Sequence, residues 1–189
     1  ALLRVYLFEI RKFTRLGRDG RTAEKAYAKQ KKHIKMKVIA GKHRGRVLKE
    51  FKGREIRPTS DRAKEALFNI LQFDIAGCAF LDLYSGTGGI GIEAISRGAE
   101  KVVFVDNSEE SIKLLKENLK YLKEEAEVVR SDAAAYIACS GTKFDFIFLD
   151  PPYRDDAKPL ITAIAERGIL NDGGRIIYEH SDGSCGDIE

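Results

Sequence analysis

Asp150-Pro151-Pro152-Tyr153 puts an acceptor carboxylate, a stiffened backbone and an aromatic face together at the end of an apolar run. Those residue types could hold a flat, amino-bearing ring, because the carboxylate can accept from the amine while the aromatic face stacks on the ring. The run ahead of them, Phe144-Asp145-Phe146-Ile147-Phe148-Leu149, has a single polar interruption and reads as a central strand buried on both faces. Proline fixes its own φ, carries no N–H and restricts the residue before it to extended geometry. Asp150 is therefore held at a strand's carboxyl end, where ligands of open α/β sheets bind.

A second constellation lies upstream in Phe80-Leu81-Asp82-Leu83-Tyr84-Ser85-Gly86-Thr87-Gly88-Gly89-Ile90-Gly91, a short strand opening into a glycine loop and a helix. Gly86-x-Gly88-x-x-Gly91 fits the dinucleotide fingerprint, in which glycines allow a tight turn and close backbone approach to a ligand. Lys101-Val102-Val103-Phe104-Val105-Asp106 reads as the next strand and ends in an acid where a carboxylate would meet ribose hydroxyls. Asp82 divides the candidate cofactors. A negative charge beside the loop repels a pyrophosphate but suits the cationic amino-acid end of S-adenosylmethionine. A further strand, Glu127-Val128-Val129-Arg130, runs into Ser131-Asp132-Ala133, so that Asp132 could accept from an adenine amino group. Four successive strand ends thus carry Asp82, Asp106, Asp132 and Asp150.

The elements that must position these acids follow from hydrophobic spacing. Thr59 or Ser60 suits the N-cap of a helix whose apolar face is Ala63, Ala66, Leu67, Ile70 and Leu71. Asn107 or Ser108 caps a second helix with Ile112, Leu115, Leu119 and Leu122 at helical spacing. A short helix over 133–138, another over 157–167 and a strand over 173–180 complete an alternation that predicts a mostly parallel sheet with helices on both faces.

The net charge of +4 conceals a division. Residues 1–50 carry 16 Lys and Arg against 4 Asp and Glu, whereas the remainder carries 17 against 25. A basic arm on an acidic body suits a polyanionic partner, because phosphate contacts release counterions. Within the arm, His43-Arg44-Gly45-Arg46 lies between apolar alternations, a pattern for a small hairpin with Gly45 near its turn. Thr22 to Lys32 is helix-forming sequence with little apolar face and is expected to dock weakly. Cys78, Cys139 and Cys185 have neither metal-ligand spacing nor an even count, and the charged opening residues argue against a signal peptide. The expectation is a reducing, cytoplasmic setting with no disulfide, no metal and no membrane span.

Together, Val38-Ile39-Ala40-Gly41-Lys42-His43-Arg44-Gly45-Arg46, the block from Arg57 to Leu71 and Asp150-Pro151-Pro152-Tyr153 resemble the ribosomal RNA small-subunit methyltransferase D family, over roughly residues 36–180. The resemblance implies a Rossmann-like class I methyltransferase with S-adenosylmethionine as cofactor, acting as a monomer on the exocyclic N2 of a guanine in 16S ribosomal RNA or the small ribosomal subunit. It also implies RNA contact through Lys42, His43, Arg44 and Arg46, and a catalytic group formed by Asp150, Pro151, Pro152 and Tyr153. Arg57, Thr59, Asp82, Gly86, Gly88, Asp106, Asp132 and Ala133 would line the cofactor site. Relatives would be expected to continue into two more strands after Glu179-His180.

The expected organisation is a basic extension over 1–35, a basic hairpin over 36–56 and a methyltransferase domain over 57–189. Competing functions are an adenine-N6 methyltransferase, a non-catalytic RNA-binding module and a nicotinamide-dependent oxidoreductase. The last leaves Asp82 and the Asp150 motif without roles.

Overall fold

The computed structural model describes residues 4–9, 36–51, 61–152 and 156–180, with residues 4–9 and His180 described by backbone alone. Its elements in chain order are β1 (Arg4–Glu9), α1 (Asp61–Ile70), β2 (Ala79–Leu83), α2 (Gly89–Ser96), β3 (Lys101–Asp106) and α3 (Glu109–Leu122). They are followed by β4 (Glu127–Arg130), α4 (Ala133–Cys139), β5 (Phe144–Leu149), α5 (Lys158–Arg167) and β6 (Leu170–His180). The six strands form one sheet of order β1-β6-β5-β2-β3-β4, parallel throughout.

Alternation along the central strands divides the core into two faces, as the pleat requires. Phe80, Phe104, Phe146 and Phe148 pack toward α1, α2 and α3, whereas Leu81, Leu83, Val103, Val105, Ile147 and Leu149 pack toward α4 and α5. On the first face, the Phe80 ring lies 6.5 Å from Phe68 of α1 and 6.3 Å from Phe146, centroid to centroid. The polar interruption in β5 has a structural job: Asp145 accepts the Ala79 N–H at 2.7 Å and the Asn171 side-chain amide at 2.8 Å. It ties the start of β2 to the irregular first part of β6.

Two features depart from the sequence expectation. Residues 4–9 add a strand along the free flank of β6, so the sixth strand comes from the beginning of the chain. The basic hairpin does not project as a free arm. Its single antiparallel bridge joins Lys37 to Val47, with Gly45 donating to the Val38 carbonyl at 2.8 Å. The whole segment is seated on α2 and α3, where the fully buried Glu93 carboxylate accepts the N–H groups of Ile39 and Ala40 at 2.8 and 2.9 Å. Asn118 exchanges hydrogen bonds with the Lys49 backbone, and Lys64 reaches the Lys37 carbonyl at 2.6 Å. Gly41 approaches α2 so closely that a Cβ there would stand 1.8 Å from the Ser96 carbonyl oxygen. The helix expected over Thr22 to Lys32, Arg57, Thr59, Ser60, Tyr153 and Cys185 lie outside the described residues. Cys78 and Cys139 are free thiols.

Candidate active site

Parallel pairing brings the sequence motifs to one edge of the sheet. Leu83 is in register with Val105 on one side and Leu149 on the other, and Asp106 with Arg130. The residues just beyond these positions form a row: Asp132 after β4, Asp106 at the end of β3, the glycine loop after β2 and Asp150 after β5. With parallel strands about 4.8 Å apart, Asp150 stands one strand spacing from the glycine loop.

The loop is built by backbone geometry that only some residues accept. Tyr84 takes φ 62°, a left-handed conformation that costs a non-glycine residue about 1 kcal/mol or more and is often found at functional sites. The loop's glycines serve different ends. A Cβ on Gly86 would meet nothing within 4 Å, so this position leaves a face open to a ligand. A Cβ on Gly91 would lie 2.2 Å from Cε1 of Phe104, which makes Gly91 the residue that lets α2 lie down on β3. Gly88, at φ 89°, is the N-cap of α2.

Each acid has a defined set of partners. Asp106 accepts the Gly86 N–H through one carboxylate oxygen and the Ser108 N–H through the other, both at 2.8 Å. Asp132 caps α4, its Oδ1 accepting from Ala134 and Ala135 at 2.9 and 3.2 Å. The cap fixes the carboxylate at the strand edge. The Ala133 side chain is buried in the core, so only its backbone could reach a cofactor.

Asp82 is 2 % exposed and accepts the Gly91 N–H at 2.8 Å. It therefore braces the start of α2 from beneath the loop. Burial pushes its carboxyl up to about 7; the Gly91 bond opposes the shift, and the charges of Asp150 and Asp106 add to it. Asp150 faces solvent, yet the protein around it excludes enough water to raise its carboxyl to about 6. Pro151 is buried and Pro152 exposed, which anchors the motif through its first proline.

Two groups at this edge were not singled out from sequence. The Ser85 hydroxyl is buried and has no hydrogen-bond partner among the described residues, an orphaned polar atom at the opening of the glycine loop. Serine between a strand and a glycine is too common to stand out by type. Tyr178 of β6 is in register with Leu149, and burial first, then the charges of Asp156 and Asp150, raise its phenol. It could be found only by knowing that β6 lies beside β5.

The edge fits S-adenosylmethionine on its own geometry. Gly86 leaves an open approach, Ser85 offers an unsatisfied hydroxyl, and Asp106 and Asp132 present carboxylates along the line on which ribose and adenine would lie. Two open concavities lie elsewhere, one of about 650 Å³ beside α3 and one of about 350 Å³ at the opposite end of β2 and β5. Neither contains these acids, and the site is located by its chemistry.

The hairpin residues divide. Lys42 and His43 are committed to Glu124 beyond the end of α3, at 2.8 and 2.5 Å, while Arg44 and Arg46 are exposed. Burial pushes Glu124 up, but the bonds from Lys42 and His43 outweigh it and hold the carboxyl below its usual range.

A family model described as Conserved hypothetical protein 95 matches residues 36–186. YlbH of Bacillus subtilis, provisionally named an rRNA methyltransferase, is 43 % identical over 151 residues, which span 77 % of this chain and 82 % of that protein. The ribosomal RNA small subunit methyltransferase D of Haemophilus influenzae is 37 % identical over 150 residues, 76 % of this chain and 78 % of its own. Among solved structures, yhhF of Escherichia coli, provisionally named a methyltransferase, superposes with a TM-score of 0.67 at 33 % identity, covering 73 % of this chain and 76 % of that one.

Proposed function

The chain belongs to the Conserved hypothetical protein 95 family, that of the small-subunit methyltransferases D, and from that premise we propose that it methylates the exocyclic N2 of a guanine in 16S ribosomal RNA, using S-adenosylmethionine. The observation that carries the reading is the register of Leu83 with Leu149, which sets the acceptor carboxylate of Asp150 beside the glycine loop.

The bound cofactor would supply an electrophilic sulfonium methyl. Ser85, the Gly86 backbone, Asp106 and Asp132 would hold it, with Arg57 and Thr59 assigned to its carboxylate end by resemblance. The exocyclic amine of guanine is a weak nucleophile, because its lone pair is delocalised into the ring. Asp150 accepts a hydrogen bond from that amine and the Pro151 carbonyl accepts a second, which favours the pyramidal nitrogen that attacks. Tyr153 stacks on the base once it has left its helix or loop. As the new N–C bond forms and the methyl's bond to sulfur breaks to leave a neutral thioether, the nitrogen would lose a proton to the Asp150 carboxylate. An acid titrating near 6 is largely ionised at neutral pH and so available for both roles. Positioning and electrostatics do most of the work.

The test is methyl transfer from labelled cofactor to small subunits lacking the modification, followed by nucleoside analysis. Label on guanine N2 is the expected result. Label on adenine N6 overturns the reading.

A further inference from the structure

Tyr121, in the last turn of α3, is 50 % exposed, although a tyrosine at a helix end could bury its ring against the neighbouring hairpin. Instead the Arg46 guanidinium lies over its ring, 5.8 Å from the centroid, with Nη1 3.5 Å from the phenol oxygen. The arrangement depends on the hairpin being fixed. Lys42 and His43 grip Glu124, and Lys49 pairs with Glu117 at 2.8 Å. Those same pairs neutralise two acids here, Glu117 on the helix and Glu124 just beyond its end. Lys116, Lys120 and Lys123 are exposed on the adjoining stripe and line the concavity of about 650 Å³, with Glu125 the acid left at its margin. Arg44 adds an exposed cation at the hairpin turn.

We propose that Tyr121 and Arg46 form a stacking platform for an unpaired RNA base, and that Lys116, Lys120 and Lys123 carry the neighbouring phosphates. An aromatic ring braced by a guanidinium and flanked by ammonium groups is the surface that single-stranded RNA uses, since every base has a stacking face and every linkage a charge. The surface lies away from the chemistry. α3 begins three residues after Asp106 and runs toward the other edge of the sheet, so at 1.5 Å per residue Tyr121 lies about 18 Å along it. The platform therefore grips RNA remote from the reacting base and selects a large folded substrate over a short one. It rests on the reading that the substrate is RNA.

The experiment uses the full chain and measures steady-state transfer to small subunits lacking the modification, alongside binding to protein-free 16S RNA. Tyr121→Ala is expected to raise KM for the particle about tenfold with kcat within twofold. Tyr121→Phe, which keeps the ring, restores it. Lys116→Glu, Lys120→Glu and Lys123→Glu combined should raise KM further and flatten the salt dependence of binding by about two to three logarithmic units of slope. Cofactor affinity by calorimetry stays unchanged, which shows that the variants are folded. Where the wild type methylates RNA, a KM unchanged in Tyr121→Ala and in the triple lysine variant overturns the platform. Weakened binding to the particle with unchanged binding to protein-free RNA also overturns it, by assigning the surface to a ribosomal protein. A wild type that binds RNA through Tyr121 yet transfers no methyl group to it keeps the platform and defeats the functional reading instead.

Discussion

One carboxylate oxygen of Asp106 accepts the Gly86 N–H at 2.8 Å, joining the end of one strand to the turn that follows its neighbour. The second oxygen accepts from Ser108, which in turn caps α3. The acid expected to meet a ribose is therefore also the brace of the loop expected to meet the methionine portion. Loss of the carboxylate should damage both. Asp106→Ala is expected to weaken S-adenosylmethionine binding at least tenfold and to lower stability by about 1–2 kcal/mol, because two backbone donors lose their acceptor. Calorimetry and urea unfolding measure the two effects separately.

Gly91→Ala tests the close approach of α2 to β3. The added methyl would meet the Phe104 ring at 2.2 Å, deep in the core. Overpacking at such a site costs about 1–3 kcal/mol. Urea midpoints should fall accordingly, whereas the same change at Gly86 meets no neighbouring atom and should lower stability only by the backbone strain of its positive φ, about 1 kcal/mol, while also weakening cofactor affinity.

Ser85→Ala separates a binding role from a structural one. Its hydroxyl is buried without a partner among the described residues, so removing it should leave the free protein as stable as before or slightly more so. Affinity for S-adenosylmethionine should fall several-fold. A variant that is destabilised but binds the cofactor normally would show that the hydroxyl serves the fold.

Asp82 predicts a pH dependence of stability. Its folded value, about 7, lies above its ordinary 3.8, so the folded protein binds this proton more tightly than the unfolded chain. Stability from this group is fully present below the ordinary value and is lost as pH rises toward 7. Asp82→Asn carries no such titration and can still accept the Gly91 N–H. Relative to wild type, the variant should gain stability between pH 4 and 7, by on the order of a few kcal/mol, and hold that gain above pH 7. Paired urea titrations at pH 5 and 8 would reveal it.

Asp150 predicts a pH dependence of rate. If the ionised carboxylate accepts from the amine, kcat/KM should climb as pH rises through about 6 and then level. Asp150→Ala should abolish transfer while leaving cofactor affinity within a few-fold. A variant that no longer binds the cofactor would place Asp150 in the wrong role.

Much of this molecule was legible before its fold was known. Near-continuous apolar runs specify β2, β3 and β5, because a strand buried on both faces leaves little room for polar residues, and the exceptions, Asp82 and Asp145, turn out to be braces with backbone partners. Gly86, Gly88 and Gly91 were legible as a group. Their division into an open face, a helix cap and a packing contact was not, since that depends on Leu115 and Phe104 from distant elements. The hairpin was legible as a hairpin, but its docking was not. Glu93 and Ser96 look like ordinary helix residues until Ile39, Ala40 and His43 are laid against them.

Sequence by itself determined the alternation of strands and helices, the acids at the strand ends and the family, because hydrophobic period, proline and glycine act locally. Tertiary structure decided which of those acids stand side by side and which partners they satisfy. Strand order and register are long-range choices that set Asp150 beside the glycine loop and bury Asp82 beneath it, and the docking of the hairpin on α2 and α3 carries Arg46 over Tyr121 at the far end of α3.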